Sequence, residues 1–327
     1  MPASTSASSL LRSPEIQAKL KQFRPPPPRK INAEVIVPLQ TRQLMLLGTA
    51  FDYLFRFELK RRWPHACERK WVAENAIDTV IPRLSHADPG LLEYLKRQPG
   101  FQNSHESVYD SLHFSLTTDT WDKESSTPIP NTMVLREILE RFVSQAKQSI
   151  ESYRALTNVG RCDIQQVAER AIQLAKIDSI LRAGLFDNTF EIAEPALVSE
   201  LMDLFHAVAW DNFAIVQEGW LNPVLGSARI GLSADADLLI DGRMIDIKVT
   251  SSKSIEVSWL DQLLIYFLLF RNWRQYDQRY PEVKTMGIYL ARHGLVQEWP
   301  CELWTNHPGF SGLENWFTDL LNDLATR

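Results

Sequence analysis

The sequence predicts an α/β fold, a mixed sheet flanked by helices and preceded by a large N-terminal helical region. Three observations carry that expectation. Apolar residues keep a helical period from about residue 38 to residue 210. After Asn212 the period drops to two, the mark of half-buried strands. Between two of the alternating runs stands Asp241-Gly242, the strongest short-range hairpin signal.

Residues 1–37 read as a disordered tail. Met1 to Ser9 is Ser/Ala-rich, and Pro25 to Pro28 favours polyproline II. Within residues 1–31, Arg12, Lys19, Lys21, Arg24, Arg29 and Lys30 oppose only Glu15, so this segment is either a solvated basic tail or an arm that touches phosphates. Residues 38–194 read as the helical region. Leu44, Leu47, Phe51, Leu54 and Phe55 form one apolar stripe, and Pro64 ends that helix. Further helices are expected over about Met133 to Tyr153, from Asp163 as N-cap to Arg182 with Gly184 as stop, and from Pro195 to Trp210. Leu116 to Asn131, rich in Thr, Ser and Pro, reads as a loop.

Residues 195–327 read as the α/β core. Short strands are expected at Phe213 to Gln217 and Ser227 to Gly231, followed by the hairpin and a helix from about Val257 to Trp273. Thr285 to Ala291 and Leu295 to Trp299 read as strands turning over at His293-Gly294, and a helix from about Gly312 to Leu324 closes the chain.

Composition narrows the function classes. With 45% hydrophobic and 23% charged residues over 327 positions, the chain is an ordinary globular sequence rather than a disordered one. No uncharged apolar run approaches a membrane span, so no membrane partner is expected. Cys67, Cys162 and Cys301 are too dispersed for a disulfide framework, a cysteine zinc site or an iron–sulfur cluster, and suit a reducing cytoplasm. The seven His lack metal-ligand spacing, and no GxxxxGK[ST], GxGxxG or GxSxG motif occurs. The formal charge of −5 weighs mildly against nucleic acid, but it combines a basic tail with an acidic body whose carboxylates a cation would neutralise.

The informative stretch is Ser233 to Thr250. A two-residue type I′ turn at Asp241-Gly242 sets Ile240 opposite Arg243, Leu238 opposite Ile245, Asp237 opposite Asp246 and Asp235 opposite Lys248. One sheet face then carries two facing carboxylates, a third carboxylate and a lysine, while Ala236, Leu238, Ile240, Ile245, Ile247 and Val249 form a core face. Facing carboxylates repel, and a hard divalent cation removes that penalty. A bulge or longer turn would promote Asp235 over Asp237. The plain alternative is a solvated face with a chance salt bridge. In the following helix, Gln262 and Tyr266 are four apart and share a face of an otherwise apolar segment.

Asp237, Asp246-Ile247-Lys248 and the helix bearing Gln262-x-x-x-Tyr266 together resemble the PD-(D/E)XK nuclease superfamily, in its RecB-like branch. Asn222-Pro223, Ala234 to Leu238, Ile245 to Lys248, Gln262 to Leu264 and Tyr289 to Arg292 are also similar to a group of bacterial proteins with this fold. The resemblance covers about residues 195–300. It implies a restriction-endonuclease-like core and a deoxyribonuclease in phage defence or DNA repair and recombination. It further implies Mg²⁺ or Mn²⁺ bound by Asp237 and Asp246, water assisted by Lys248, and DNA or site groups positioned by Gln262 and Tyr266. A first-helix acid that would complete the site is open between Glu200, Asp203 and Asp52, with Asp203 preferred. Asp246 stands where many members have Glu, and too few cysteines exist for the iron–sulfur members. The alternative is a catalytically silent nuclease fold that binds nucleic acid or scaffolds a protein partner through the helical region.

Overall fold

The computed structural model describes residues 5–25, 30–83, 93–94, 97, 130–227, 232–274, 278 and 280–326. In chain order their elements are β1 (Thr5–Ser6), α1 (Ala7–Leu10), α2 (Pro14–Leu20), α3 (Leu44–Arg62), β2 (Cys67–Glu68), α4 (Val72–Arg83), α5 (Pro130–Arg154), α6 (Arg161–Ala183), α7 (Pro195–His206), β3 (Gly219–Leu221), β4 (Val224–Ser227), β5 (Leu232–Asp235), β6 (Leu238–Ile240), β7 (Arg243–Lys248), α8 (Val257–Arg274), β8 (Thr285–Leu290), β9 (Leu295–Pro300), α9 (Glu302–Thr305) and α10 (Phe310–Thr326). They form two compact units. One comprises Met1–Arg42, Phe55–Arg69 and Asp203–Arg327, the other Gln43–Leu54 and Lys70–Met202. The division is not a single cut near residue 195. Phe55, in the second half of α3, stacks with Trp210, Phe213 and Tyr289 and so belongs to the sheet-bearing unit.

The sheet-bearing unit is α/β. Its main sheet has six strands in the order β2-β3-β6-β7-β8-β9, with β2/β3 and β7/β8 parallel and the other pairs antiparallel. The parallel step from β7 to β8 needs a long crossover, which α8 supplies. Asp241 and Gly242 both have positive φ, 49° and 82°, as a type I′ loop demands. A Cβ on Gly242 would lie 2.8 Å from the Glu282 carbonyl oxygen, so only glycine fits there. The pairs Ile240–Arg243, Leu239–Met244 and Leu238–Ile245 follow in register. The expected division into a polar and an apolar face does not hold along this hairpin: Leu238, Leu239, Ile240, Met244 and Ile245 are all fully buried. Leu239 and Met244 join Leu260, Leu263 and Leu264 of α8 in one core cluster, so the hairpin is covered on both faces.

A second, three-stranded sheet has the order β1-β5-β4. The ribbon made by β3–β4 and β5–β6 changes sheets midway. At the change the Asn222 N–H donates to the Asp237 carbonyl (2.8 Å) and the Ala236 N–H to the Pro223 carbonyl (3.1 Å). Asn222 turns the chain with φ 57°, and Pro223 has no N–H to continue a ladder. Consequently Asp235 pairs with Val224 in the small sheet and does not face Lys248.

Several other expectations change. Residues 5–23 are not a featureless tail, because Ile16, Leu20 and Phe23 are spaced i, i+4, i+7 and are buried in the same core cluster as α8. Phe23 meets His307 and Phe310 edge-on. Arg24 is engaged within the protein rather than offered to phosphates: Nε and Nη2 donate to the two Asp261 oxygens at 2.7 and 2.8 Å. Most of the polyproline run, Pro26 to Pro28, lies outside the described residues, as do 116–129 of the expected loop and 228–231 of the expected strand. The chain at Phe213 to Gln217 is a 3₁₀ turn, Trp210–Phe213, and then a loop, because the Asp241 carboxylate takes the N–H groups of Val216, Gln217 and Glu218 at 2.8–2.9 Å. Helix α7 stops at His206.

The helical unit contains α4, α5, α6 and parts of α3 and α7. Gly160, not Asp163, is the N-cap of α6; Asp163 is at N3 and accepts the Gly160 N–H at 2.8 Å. Gly184 ends α6 in the left-handed conformation, φ 66°. Inside the unit the Tyr53 hydroxyl donates to Asp178 Oδ1 at 2.7 Å and receives the Ala73 N–H at 3.0 Å. Among the described residues no helix is long and apolar enough to cross a membrane.

Candidate active site

Four side chains form one continuous chain of polar contacts at the open end of β7 and the first half of α8. Lys248 Nζ lies 2.8 Å from Asp246 Oδ2 and donates to Gln262 Oε1 at 2.9 Å. Gln262 Nε2 donates to the Tyr266 hydroxyl at 2.6 Å. The order of donors has only one solution. An ammonium offers N–H groups alone, so the amide oxygen must face Lys248 and the amide nitrogen must face Tyr266. Tyr266 thus accepts from Gln262 and keeps its own O–H for another group.

The elements explain the placement. Asp246 and Lys248 are two apart on β7 and therefore share a face. Gln262 and Tyr266 are one turn apart on α8 and share a face of a helix that is otherwise packed into the core. Asp246 is 4% exposed and Tyr266 6%, so their charges and protons act in a poorly solvated setting.

Asp237 reaches the same place by another route. The pairing of β6 with β7 ends at Leu238–Ile245. One step further, Asp237 Oδ2 accepts the Ile247 N–H at 2.5 Å, standing in for a strand carbonyl. Its charge is felt by both Lys248 and Tyr266. Burial disfavours the Lys248 ammonium, but Asp246 first, then Asp237 and Glu256, outweigh it and hold the lysine pKa above its ordinary value. Burial drives the Tyr266 pKa far up, and Asp246, Asp237 and Asp235 add to that push against the opposing Gln262 hydrogen bond. These surroundings favour the ammonium form of Lys248 and the neutral form of Tyr266.

Asp235 forms a half-exposed ion pair with Arg69 at 3.5 Å. Asp203 accepts a hydrogen bond from Gln40 Nε2 at 2.8 Å on the protein surface. Glu200, on α7, is fully buried and Asp52, on α3, is half-buried; both belong to the helical unit. Glu256, which acts on Lys248, was not singled out from sequence; its position just ahead of the Gln262 helix was the available signal.

Among the described residues no three His, Cys, Asp or Glu side chains are gathered as a metal cluster. The donor set of Asp237 and Asp246 nonetheless suits Mg²⁺, which takes one or two carboxylates and completes its shell with water and phosphate oxygens. Asp237 accepts the Ile247 N–H and Asp246 meets Lys248, and a carboxylate offers about four lone-pair sites. A search for matches among protein families, curated proteins and solved structures finds none.

Proposed function

We propose that the chain is a metal-dependent deoxyribonuclease built on a PD-(D/E)XK core of the RecB-like kind. The observation that carries this reading is the polar chain from Asp246 through Lys248 and Gln262 to Tyr266, beside Asp237 at the bend of the ribbon.

Asp237 and Asp246 would hold the Mg²⁺ or Mn²⁺, and the bound cation would supply an acidified water and charge neutralisation at the phosphate. Lys248 spends two of its three N–H groups on Asp246 and Gln262, which fixes the direction of the third. Its remaining donor orients the attacking water or steadies a phosphate oxygen as negative charge grows there. Tyr266, neutral and oriented by Gln262, presents an O–H to the same phosphate.

The test is incubation of the purified protein with linear, circular and single-stranded DNA in Mg²⁺ or Mn²⁺. Cleavage is expected, and Asp246→Ala and Lys248→Ala are each expected to slow it by about 10²-fold or more. Variants that cut as fast as the wild type would remove these residues from the mechanism. DNA binding without cleavage under either ion would favour a silent nuclease-fold module.

A further inference from the structure

We infer that Arg24, in the N-terminal segment, is a positioning residue for this site, acting through Asp261 on Gln262 and Tyr266. The inference rests on reading the site as a nuclease centre.

Asp261 sits on α8 immediately before Gln262 and is 2% exposed. Its two oxygens each receive a hydrogen bond from Arg24, at 2.7 and 2.8 Å. A bidentate guanidinium–carboxylate pair fixes direction as well as distance, because the two N–H vectors of the fork are rigid. A third tie, from Arg24 Nη2 to the Gln17 carbonyl at 3.3 Å, links the fork to α2. Phe23 next door packs on His307 and Phe310, so the segment bearing Arg24 has its own anchor in the core.

The geometry couples this pair to the site. Adjacent helix residues turn together, so any roll or slide of α8 that disturbs Asp261 moves Gln262 by the same amount. Gln262 bridges Lys248 at 2.9 Å and Tyr266 at 2.6 Å, and neither hydrogen bond tolerates a displacement of more than a few tenths of an ångström. Residues 30 and 31 make a second set of ties. The Ile31 N–H donates to the Lys253 carbonyl at 2.9 Å, just after the end of β7, and Lys30 bridges to Ser254. The helix that carries Gln262 is therefore tied to Arg24, and the loop that follows Lys248 is tied to residues 30 and 31.

Three variants test the inference: Arg24→Ala, Arg24→Lys and Phe23→Ala, the last loosening the segment's anchor while keeping the ion pair. On the nuclease reading, Arg24→Ala lowers kcat by about tenfold or more with KM for DNA within about twofold. Arg24→Lys recovers part of the loss, and Phe23→Ala keeps kcat within about twofold even where its Tm falls as far. Equal kcat losses for Arg24→Ala and Phe23→Ala at equal Tm loss, or an unchanged kcat in Arg24→Ala, would overturn the inference. Should the wild type cut no DNA under any divalent ion, the nuclease reading falls and hydrogen exchange decides the positioning claim. Arg24→Ala must then speed exchange of the 258–266 amides while leaving 310–326 unchanged; a uniform change, or none, overturns it.

Discussion

Replacing Lys248 by Met tests the electrostatics of the site without any assay of activity. The side chain of Asp246 is 6% exposed and that of Lys248 22%, at a separation of 2.8 Å. Met keeps most of the lysine's apolar stem and removes its charge, so Asp246 stays buried beside Asp237 with its counter-charge gone. Removing one partner of a buried ion pair costs about 3–5 kcal/mol, well beyond the about 0–1 kcal/mol of an exposed pair. For a cooperative unit of this size, about 2–4 °C of Tm goes with each kcal/mol, so the expected drop in chelator is about 6–20 °C. On the nuclease reading, a divalent cation between Asp237 and Asp246 would replace the missing charge. At about one hundred times its Kd it returns about 2.7 kcal/mol. Thermal melts in EDTA and in excess Mn²⁺ therefore separate the two variants: Lys248→Met shows a larger Mn²⁺-induced rise than the wild type, and Asp246→Asn shows little. A Lys248→Met protein that melts within a degree or two of the wild type in EDTA would refute the argument that Asp246 depends on the ammonium.

Two further outcomes follow from single groups. Tyr266→Phe leaves Gln262 Nε2 without its acceptor, at a cost of about 1–3 kcal/mol, and on the nuclease reading slows cleavage by about tenfold or more while KM for DNA changes less. Because the folded pKa of Tyr266 is raised, its linked stability is fully present below the ordinary tyrosine value near 10 and is lost as pH climbs toward the folded value. Chemical denaturation between about pH 8 and 11 should show that alkaline loss, reduced in Tyr266→Phe; an identical pH profile for both proteins would contradict it. For Asp241, burial pushes its pKa upward but the N–H groups of Val216, Glu218 and Gln217, with His65, win and lower it. Its contribution is thus present above about pH 4 and disappears as pH falls through the lower folded value. Asp241→Ala should lose about 0.5–1.5 kcal/mol at pH 7 and less at pH 3, as read by urea melts, whereas Asp241→Asn should lose less because Asn tolerates the positive φ.

The hairpin and the crossover helix were legible in the sequence because each depends on local chemistry. Asp-Gly specifies a turn with two positive φ values, and a two-residue loop then determines the register of every pair up to Leu238–Ile245. Counting from α8 alone places Gln262 and Tyr266 together. The N-terminal packing was hidden by composition: serines and prolines dominate residues 1–31, yet Ile16, Leu20 and Phe23 hold a clear helical spacing that seven residues of helix are enough to use. Strand β2, only Cys67–Glu68, is too short to carry a period of two, and its pairing with β3 comes from chain far away. The preference for Asp203 over Glu200 and Asp52 had little to rest on, since a helix face says nothing about which tertiary neighbour it meets.

The failure of the extrapolated register at Asp235 explains how Asp237 comes to be oriented. Had β6 run straight through to Asp235, the Ile247 N–H would have met a backbone carbonyl, and Asp237 would have stood opposite Asp246 as one more cross-strand pair with like charges. The bend at Asn222-Pro223 and Ala236-Asp237 instead withdraws the backbone after Leu238. A donor on β7 is left to be satisfied by whatever follows, and the Asp237 carboxylate takes it at 2.5 Å. The same strand break that spoils the sequence count thus ties Asp237 to the Ile247 N–H, with its charge reaching Lys248 and Tyr266. Such local ladder defects recur beside active sites because they aim a side chain that a regular strand would leave flat against its partner. On this argument Asn222, whose positive φ makes the turn, matters to the site although it carries none of its chemistry.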